Sequence, residues 1–452
     1  MDHSGILSLL PTIAVVIFAL ITKKTFEALV LGSITGYLLI SDINFFSSFT
    51  DSLLKVMQDP TIGWVILVCG LFGSLINLLA KSGGTTAFSG HLLKYVKNRK
   101  GALMATWILG LCIFIDDYLN ALTVGASMKK VTDKFKVPRE MLAYVVDSTA
   151  APICVLIPLS TWAIYISGLL EGEGIVEQGY GLTGYLKAIP YITYGWVAAI
   201  LVPLVALNII PALGAMKKAE KRAESGDLIP PHSGAISLKM PDDVSKKKAK
   251  LSYFILPILI LIAATIAFEI DALKGVIAAI AFTVVYFSFE KVMTISEAMK
   301  GVFTGFKTML YALAIVVMSF VLKNVNDELG LTSFVIESVS PFISKEFLPV
   351  ITFISLAVIT FATGSFWGMY AISFPIILPL AQTLGVDIWL SIGTVISAGA
   401  FGSHACFYGD ATVLSASATG CNNMAHVTTQ LPYTMIAGLI TCLIYLVLGF
   451  VV

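Results

Sequence analysis

Between Ala102 and Val124 the chain is apolar except at its centre, where residues 114–120 read Phe-Ile-Asp-Asp-Tyr-Leu-Asn. Two adjacent carboxylates in the middle of a hydrocarbon layer cost several kcal/mol if they are ionised and unpaired. A chain tolerates them there only if they face protein or water, or if a cation or a proton neutralises them. A membrane anchor or scaffold has no use for such a pair. A cation-coupled transporter does.

Composition agrees. Of 452 residues, 57% are hydrophobic and 13% charged, about half the charged share of a soluble domain. Apolar runs of about 20 residues recur from end to end, the pattern of an all-α polytopic membrane protein. A net charge of +1 gives no reason to expect a nucleic-acid partner. Cys69, Cys112, Cys154, Cys406, Cys421 and Cys442 lie in or beside apolar runs without CxxC spacing and read as reduced packing residues. The first run, 6–22, follows Met-Asp-His-Ser with no basic segment, and reads as a retained span rather than a signal peptide. There is no HExxH, nucleophile elbow or Walker A motif, so neither an enzymatic reading nor a bound cofactor is expected.

Basic residues orient the spans. Lys23 and Lys24 follow the first run, which places the amino terminus outside. Spans over 25–40 and 62–79 follow, joined by a partly amphipathic external connection over 42–59. The next segment, 102–127, is flanked on one side by Lys94, Lys97, Arg99 and Lys100. On the other side stand Lys129, Lys130, Lys134, Lys136 and Arg139. One crossing would put a basic cluster outside. A re-entrant hairpin with two arms of roughly a dozen residues and a tip near 116–120 resolves the conflict; a single long tilted span is the alternative. Residues 141–169 then form a span interrupted twice, and 191–209 returns inside. The polar stretch 217–250, with Pro230-Pro231 and two lysine-rich ends, reads as a cytoplasmic linker.

The second half repeats the plan. Spans over 251–268, 276–289 and 306–321 precede a broken segment over 350–384, an interrupted span over 388–414 and a last span over 433–451. Lys307 reads as an interfacial lysine. Each half therefore has three spans, a re-entrant hairpin, an interrupted span and a final span, and the halves begin on opposite sides. That is an inverted-topology repeat, with a first membrane repeat over 1–210, a linker over 211–250 and a second repeat over 251–452.

Transport sites form where broken helices meet at the midplane and freed carbonyls can hold cations. Four breaks qualify. The first carries Asp116, Asp117 and Asn120; neighbours on a helix point about 100° apart, so one aspartate lines the pathway while the other caps a half-helix or meets a basic group. The second carries Asp147, Ser148 and Thr149 before Ala150-Ala151-Pro152, where the proline bars Ala151 from helical geometry. The third, Thr363-Gly-Ser-Phe-Trp-Gly368, offers the hydroxyls of Thr363 and Ser365 but no acid. The fourth carries Ser403, His404, Tyr408, Asp410 and Thr412, and a break between His404 and Asp410 would bring a proton-exchanging imidazole to a carboxylate. Each has a plainer reading: a surface loop, a packing kink, or a structural histidine.

The runs Phe-Ile-Asp-Asp-Tyr at 114–118, Asp-Ser-Thr-Ala-Ala-Pro at 147–152 and Gly-Asp-Ala-Thr at 409–412 resemble the NhaC-type Na+/H+ antiporter family, over essentially the whole chain. The resemblance implies membership of the ion transporter superfamily, with inverted repeats, a scaffold part, a moving transport part, and usually a homodimer in the cytoplasmic membrane. Some members exchange organic acids, so a small organic solute or amino acid is the alternative cargo to Na+ and H+. Asp117, Asp147 and Asp410 are the expected sodium ligands, with Asp116 close behind.

Overall fold

In the computed structural model, which describes residues 3–22, 24–231, 233, 249–364 and 366–452, every regular element is a helix. Lys23, Ser365 and the linker lysines Lys246, Lys247 and Lys248 lie outside the described residues. The first half opens with α1 (Leu10–Thr22), α2 (Thr25–Ser41), α3 (Phe45–Gln58), α4 (Pro60–Lys81) and α5 (Gly84–Leu92). A broken pair follows, α6 (Arg99–Cys112) and α7 (Asp117–Lys134). The interrupted segment is α8 (Arg139–Thr149), the single turn α9 (Ala151–Cys154) and α10 (Thr161–Gly172). Then come α11 (Gly181–Ala188), α12 (Thr193–Ala206) and α13 (Gly214–Glu224). The second half runs α14 (Ser252–Ala267), α15 (Ala272–Phe289), α16 (Ile295–Thr308), α17 (Leu310–Glu328) and α18 (Leu331–Val339). It ends with α19 (Leu348–Thr363), α20 (Phe366–Leu384), α21 (Ile388–Ala405), α22 (Asp410–Thr419) and α23 (Asn423–Val451).

Five of these helices are long and apolar enough to cross a bilayer singly: those over 62–81, 272–289, 310–328, 366–384 and 423–451. The outer face of α23 shows what surrounds them. Leu439, Leu443, Val447 and Phe450 recur at helical spacing and are 61, 63, 60 and 63% exposed. Such a stripe is stable only against lipid or other protein. The chain is an all-α polytopic membrane protein.

The structure adds detail to three expectations. The connection over 42–59 contains a helix of its own, α3. The span expected over 306–321 is met by α17, and only its first residues close the preceding helix α16. Thr294 and Glu297 start α16 with a reciprocal capping box, and Lys307 belongs to its last turn. Helix α16 lies so close to α4 that a Cβ on Gly305 would sit 2.5 Å from the Gly73 carbonyl oxygen. Asn77 Nδ2 donates to the Gly301 carbonyl at 2.6 Å in the same contact. Finally, the stretch expected as linker begins with the docked helix α13.

Both broken pairs fold back. Arg99 at the start of α6 pairs with Glu220 of α13. Beyond the end of α7, Lys136 Nζ donates to the Glu224 carbonyl at 3.1 Å and Arg139 N to Leu228 O at 3.0 Å. The segment therefore leaves α13 and returns to it, with arms of 14 and 18 residues, longer than the dozen expected. The second pair does the same elsewhere: Leu348 at the start of α19 and Ala381 near the end of α20 share one small apolar cluster with Val386. Helix α23 measures the distance between the two bases. Its first turns contact the α13 region, where Leu213 N donates to Tyr433 Oη at 3.0 Å. Near its far end, the rings of Phe450 and Phe347 are 5.8 Å apart. From Thr428 to Gly449 is about 30 Å of helix, so the two hairpins enter from opposite ends.

Two apolar cores hold the molecule. One gathers α1–α4 with α14–α17 and reaches α7 and α22; the other gathers α8–α13 with α19–α21 and α23. Neither stops at the linker.

Candidate ion-binding site

At the first break the chain is irregular over 113–116. Asp116 has extended geometry (φ −149°, ψ 137°) and N-caps α7, its Oδ1 accepting from Leu119 N at 3.0 Å. Its Oδ2 accepts from Thr161 Oγ1 at 3.2 Å, which ties the hairpin tip to the start of α10. Asp116 is the cap. Asp117 is fully buried, and neither carboxylate oxygen has a hydrogen-bond partner among the described residues. The Trp162 indole N–H and the Asp117 backbone amide act on it electrostatically without reaching hydrogen-bond geometry. An ionised carboxylate in such a place is strongly unfavourable without a counter-charge; a proton or a small cation supplies one. Asp410, the first residue of α22, lies close enough to act electrostatically on Asp117. Its Oδ1 accepts from Ala411 N at 2.8 Å and its Oδ2 from the Tyr118 hydroxyl.

Asp147 sits apart from that cluster, in the last turn of α8. Its Oδ2 accepts from Gln430 Nε2 at 2.6 Å and pairs with His426 Nε2 at 3.1 Å, while Oδ1 accepts from Ser415 Oγ at 3.4 Å. Gln430 Nε2 also reaches the His404 carbonyl at 2.6 Å. The His404 ring lies between Ser148 Oγ (3.0 Å from Nε2) and Tyr194 Oη (2.8 Å from Nδ1). Thus at the helix breaks His426 pairs directly with Asp147, and His404 is hydrogen-bonded to Ser148 and Tyr194 rather than to Asp410. The break at 406–409 points His404 toward the α8 side and Asp410 toward Tyr118. Among the described residues no three His, Cys, Asp or Glu side chains converge as a metal site. Asp117 and Asp410 interact with one another, while Asp147 takes its hydrogen bonds from Gln430, His426 and Ser415.

The remaining predicted residues hold backbone. Asn120 Nδ2 donates to the carbonyls of Gly110, Ile113 and Thr149, each at 2.8 Å, so one side chain ties α6, the break and α8 together. Thr149 Oγ1 bonds back to Val145 O, Thr363 Oγ1 to Ile359 O and Thr412 Oγ1 to Ser403 O. The irregular residue of the second break is Ala150 (ψ −102°), one earlier than expected. Pro152 sits in the first turn of α9, where its missing amide is no loss. Gly364 ends α19 at φ +67°, a conformation that glycine adopts without steric cost. Tyr118, Tyr194, Ser415, His426 and Gln430 were not anticipated. His426 and Gln430 carried a signal: two polar residues four apart, on one face of an otherwise apolar helix.

The sequence model of a family described as the Na+/H+ antiporter family matches residues 180–450, a stretch that holds the second hairpin, Asp410, His426 and Gln430. The chain belongs to that family. Membership places it among membrane transporters. A Haemophilus influenzae protein described as uncharacterized is 30% identical to this antiporter-family chain over 490 residues, covering 99% of it and 91% of the relative. The malate-2H(+)/Na(+)-lactate antiporter of Bacillus subtilis is 28% identical over 109 residues, 24% of this chain and 23% of that protein.

Proposed function

We propose that the protein is a Na+/H+ antiporter of the cytoplasmic membrane. The observation that carries the reading is Asp117: a fully buried carboxylate without a hydrogen-bond partner among the described residues, beside Asp116 and Asp410 at a helix break. A carboxylate that is stable only when compensated holds either sodium or a proton, and competition for it produces exchange. Asp147, with His426, Gln430 and His404, forms a second polar centre that holds α8 against α23 and is available to the same exchange.

Hairpins that enter from opposite ends support an inverted repeat, with α1–α4 answered by α14–α17 and α6–α8 by α19–α21. The two intertwined cores support a scaffold and a moving part, and the family resemblance a homodimer. A second reading, sodium-coupled exchange of a small organic acid, is favoured by the Bacillus subtilis relative. It is also favoured by the aromatic group at the second hairpin tip, where Trp162 stacks on Phe366 at 3.8 Å and Tyr165 Oη donates to the Trp367 carbonyl at 3.0 Å. Proteoliposomes separate the two. A sodium gradient that moves protons with no solute present supports antiport of the two ions. Sodium movement that requires an organic acid, with no proton flux in its absence, would replace the first reading with the second.

A further inference from the structure

The same hydrogen bond occurs at both hairpins. Cys154 Sγ, at the end of α9, donates to the Phe114 carbonyl at 3.2 Å, and Cys406 Sγ, just after α21, donates to the Phe361 carbonyl at 3.2 Å. Both thiols are fully buried. Each bond runs from the interrupted segment of one half to the hairpin of that half, and each meets a carbonyl freed by the hairpin break. The following carbonyl is also tied, by a different kind of donor in each half. Ile115 O accepts from Thr161 N at 2.9 Å, and Ala362 O from the Tyr408 hydroxyl at 2.7 Å. In the first hairpin these two carbonyls immediately precede Asp116 and Asp117. In the second, the thiol's own segment leads into Asp410.

We propose that Cys154 and Cys406 are paired positioning residues that set sodium affinity by fixing the backbone at the two hairpin breaks, an inference that rests on the function proposed above. A thiol is a small, weakly donating group that fills an apolar gap and still satisfies a carbonyl. Alanine leaves the gap nearly filled but the carbonyl unpaired; serine keeps a donor.

The test uses the full chain in proteoliposomes, with Cys154→Ala, Cys154→Ser, Cys406→Ala and Cys406→Ser. Loss of one such bond corresponds to an increase in half-saturating sodium of about five-fold for each alanine variant, with the maximal rate within about two-fold of the parent. The serine variants stay within about two-fold of the parent in both. Hydrogen exchange of the amides over 113–120, and over 361–364 for the second site, rises in the alanine variants and not in the serine ones. Alanine variants with parental sodium affinity overturn the proposal, and so do serine variants as weak as the alanine ones, because volume rather than donation would then be the cause. If the parent shows no sodium dependence at all, the functional reading falls by itself. Hydrogen exchange then still decides whether the thiols hold the breaks.

Discussion

Tyr118 donates its hydroxyl to Oδ2 of Asp410, joining the residue after Asp117 in the first hairpin to the first residue of α22 in the other half of the chain. Both side chains are buried, at 1 and 4% exposure. The bond therefore crosses between the two halves at the depth of the carboxylate cluster. It fixes one oxygen of Asp410 while Ala411 N holds the other.

Tyr118→Phe removes that donor and almost no volume. Hydrogen bonds to charged groups contribute about 1.5–3 kcal/mol, so transport at limiting sodium falls about ten-fold or more, while the variant still folds. Flux in proteoliposomes beside a thermal unfolding curve decides it. A variant with parental flux would show that Asp410 does not need its phenol partner.

Asp117→Asn has an unusual expected signature. Because neither oxygen makes a hydrogen bond among the described residues, the amide loses none of those partners, and a buried charge is removed. The variant is at least as thermally stable as the parent in sodium-free buffer. It no longer gains stability on addition of sodium, which stabilises only a form that binds it. A parental sodium-dependent shift in melting temperature would remove Asp117 from the site.

Gln430 bridges Asp147 Oδ2 and the His404 carbonyl, each at 2.6 Å. Gln430→Leu leaves two buried acceptors short of a donor and destabilises the protein by about 2–4 kcal/mol. In combination with Asp147→Asn the losses are less than additive, since one mutation removes part of what the other breaks. Additive losses in unfolding experiments would mean that the two side chains act separately.

The sequence made the breaks legible and the pairing across them illegible. Basic clusters on both flanks marked 102–127 as a segment that returns to the side it leaves, and the structure brings both of its ends to α13. The position of Gly364 and the interruption at 406–409 followed from glycine and small polar residues in apolar runs. Partner choice did not follow. Whether His404 or His426 meets a carboxylate depends on how α21 and α23 are rotated against α8, and no local pattern encodes that rotation. The span expected at 306–321 is α17, begun four residues early. Apolar content alone ran α16 into α17, whereas the capping box at Thr294 and the glycines at 301 and 305 define α16 as a separate helix packed on α4.

The last prediction concerns how each hairpin sits on its interrupted segment. A Cβ on Gly110 of α6 would lie 2.2 Å from Thr149 Oγ1 of α8, and a Cβ on Gly402 of α21 would lie 2.3 Å from Thr360 Cβ of α19. In the first half the hairpin supplies the glycine and the interrupted segment the threonine; in the second the roles are exchanged. Gly110→Ala and Gly402→Ala each force the two helices apart and cost about 1–3 kcal/mol, the usual price of overpacking a tight core. Adding Thr360→Gly to Gly402→Ala moves the glycine to the hairpin helix, as in the first half, opposite a smaller side chain than Thr149. It restores most of that loss, less about 1 kcal/mol for glycine inside a helix. Melting temperatures of the single and double variants test it, and a double variant no more stable than Gly402→Ala would mean that the close approach of these two helices is not what the glycine provides.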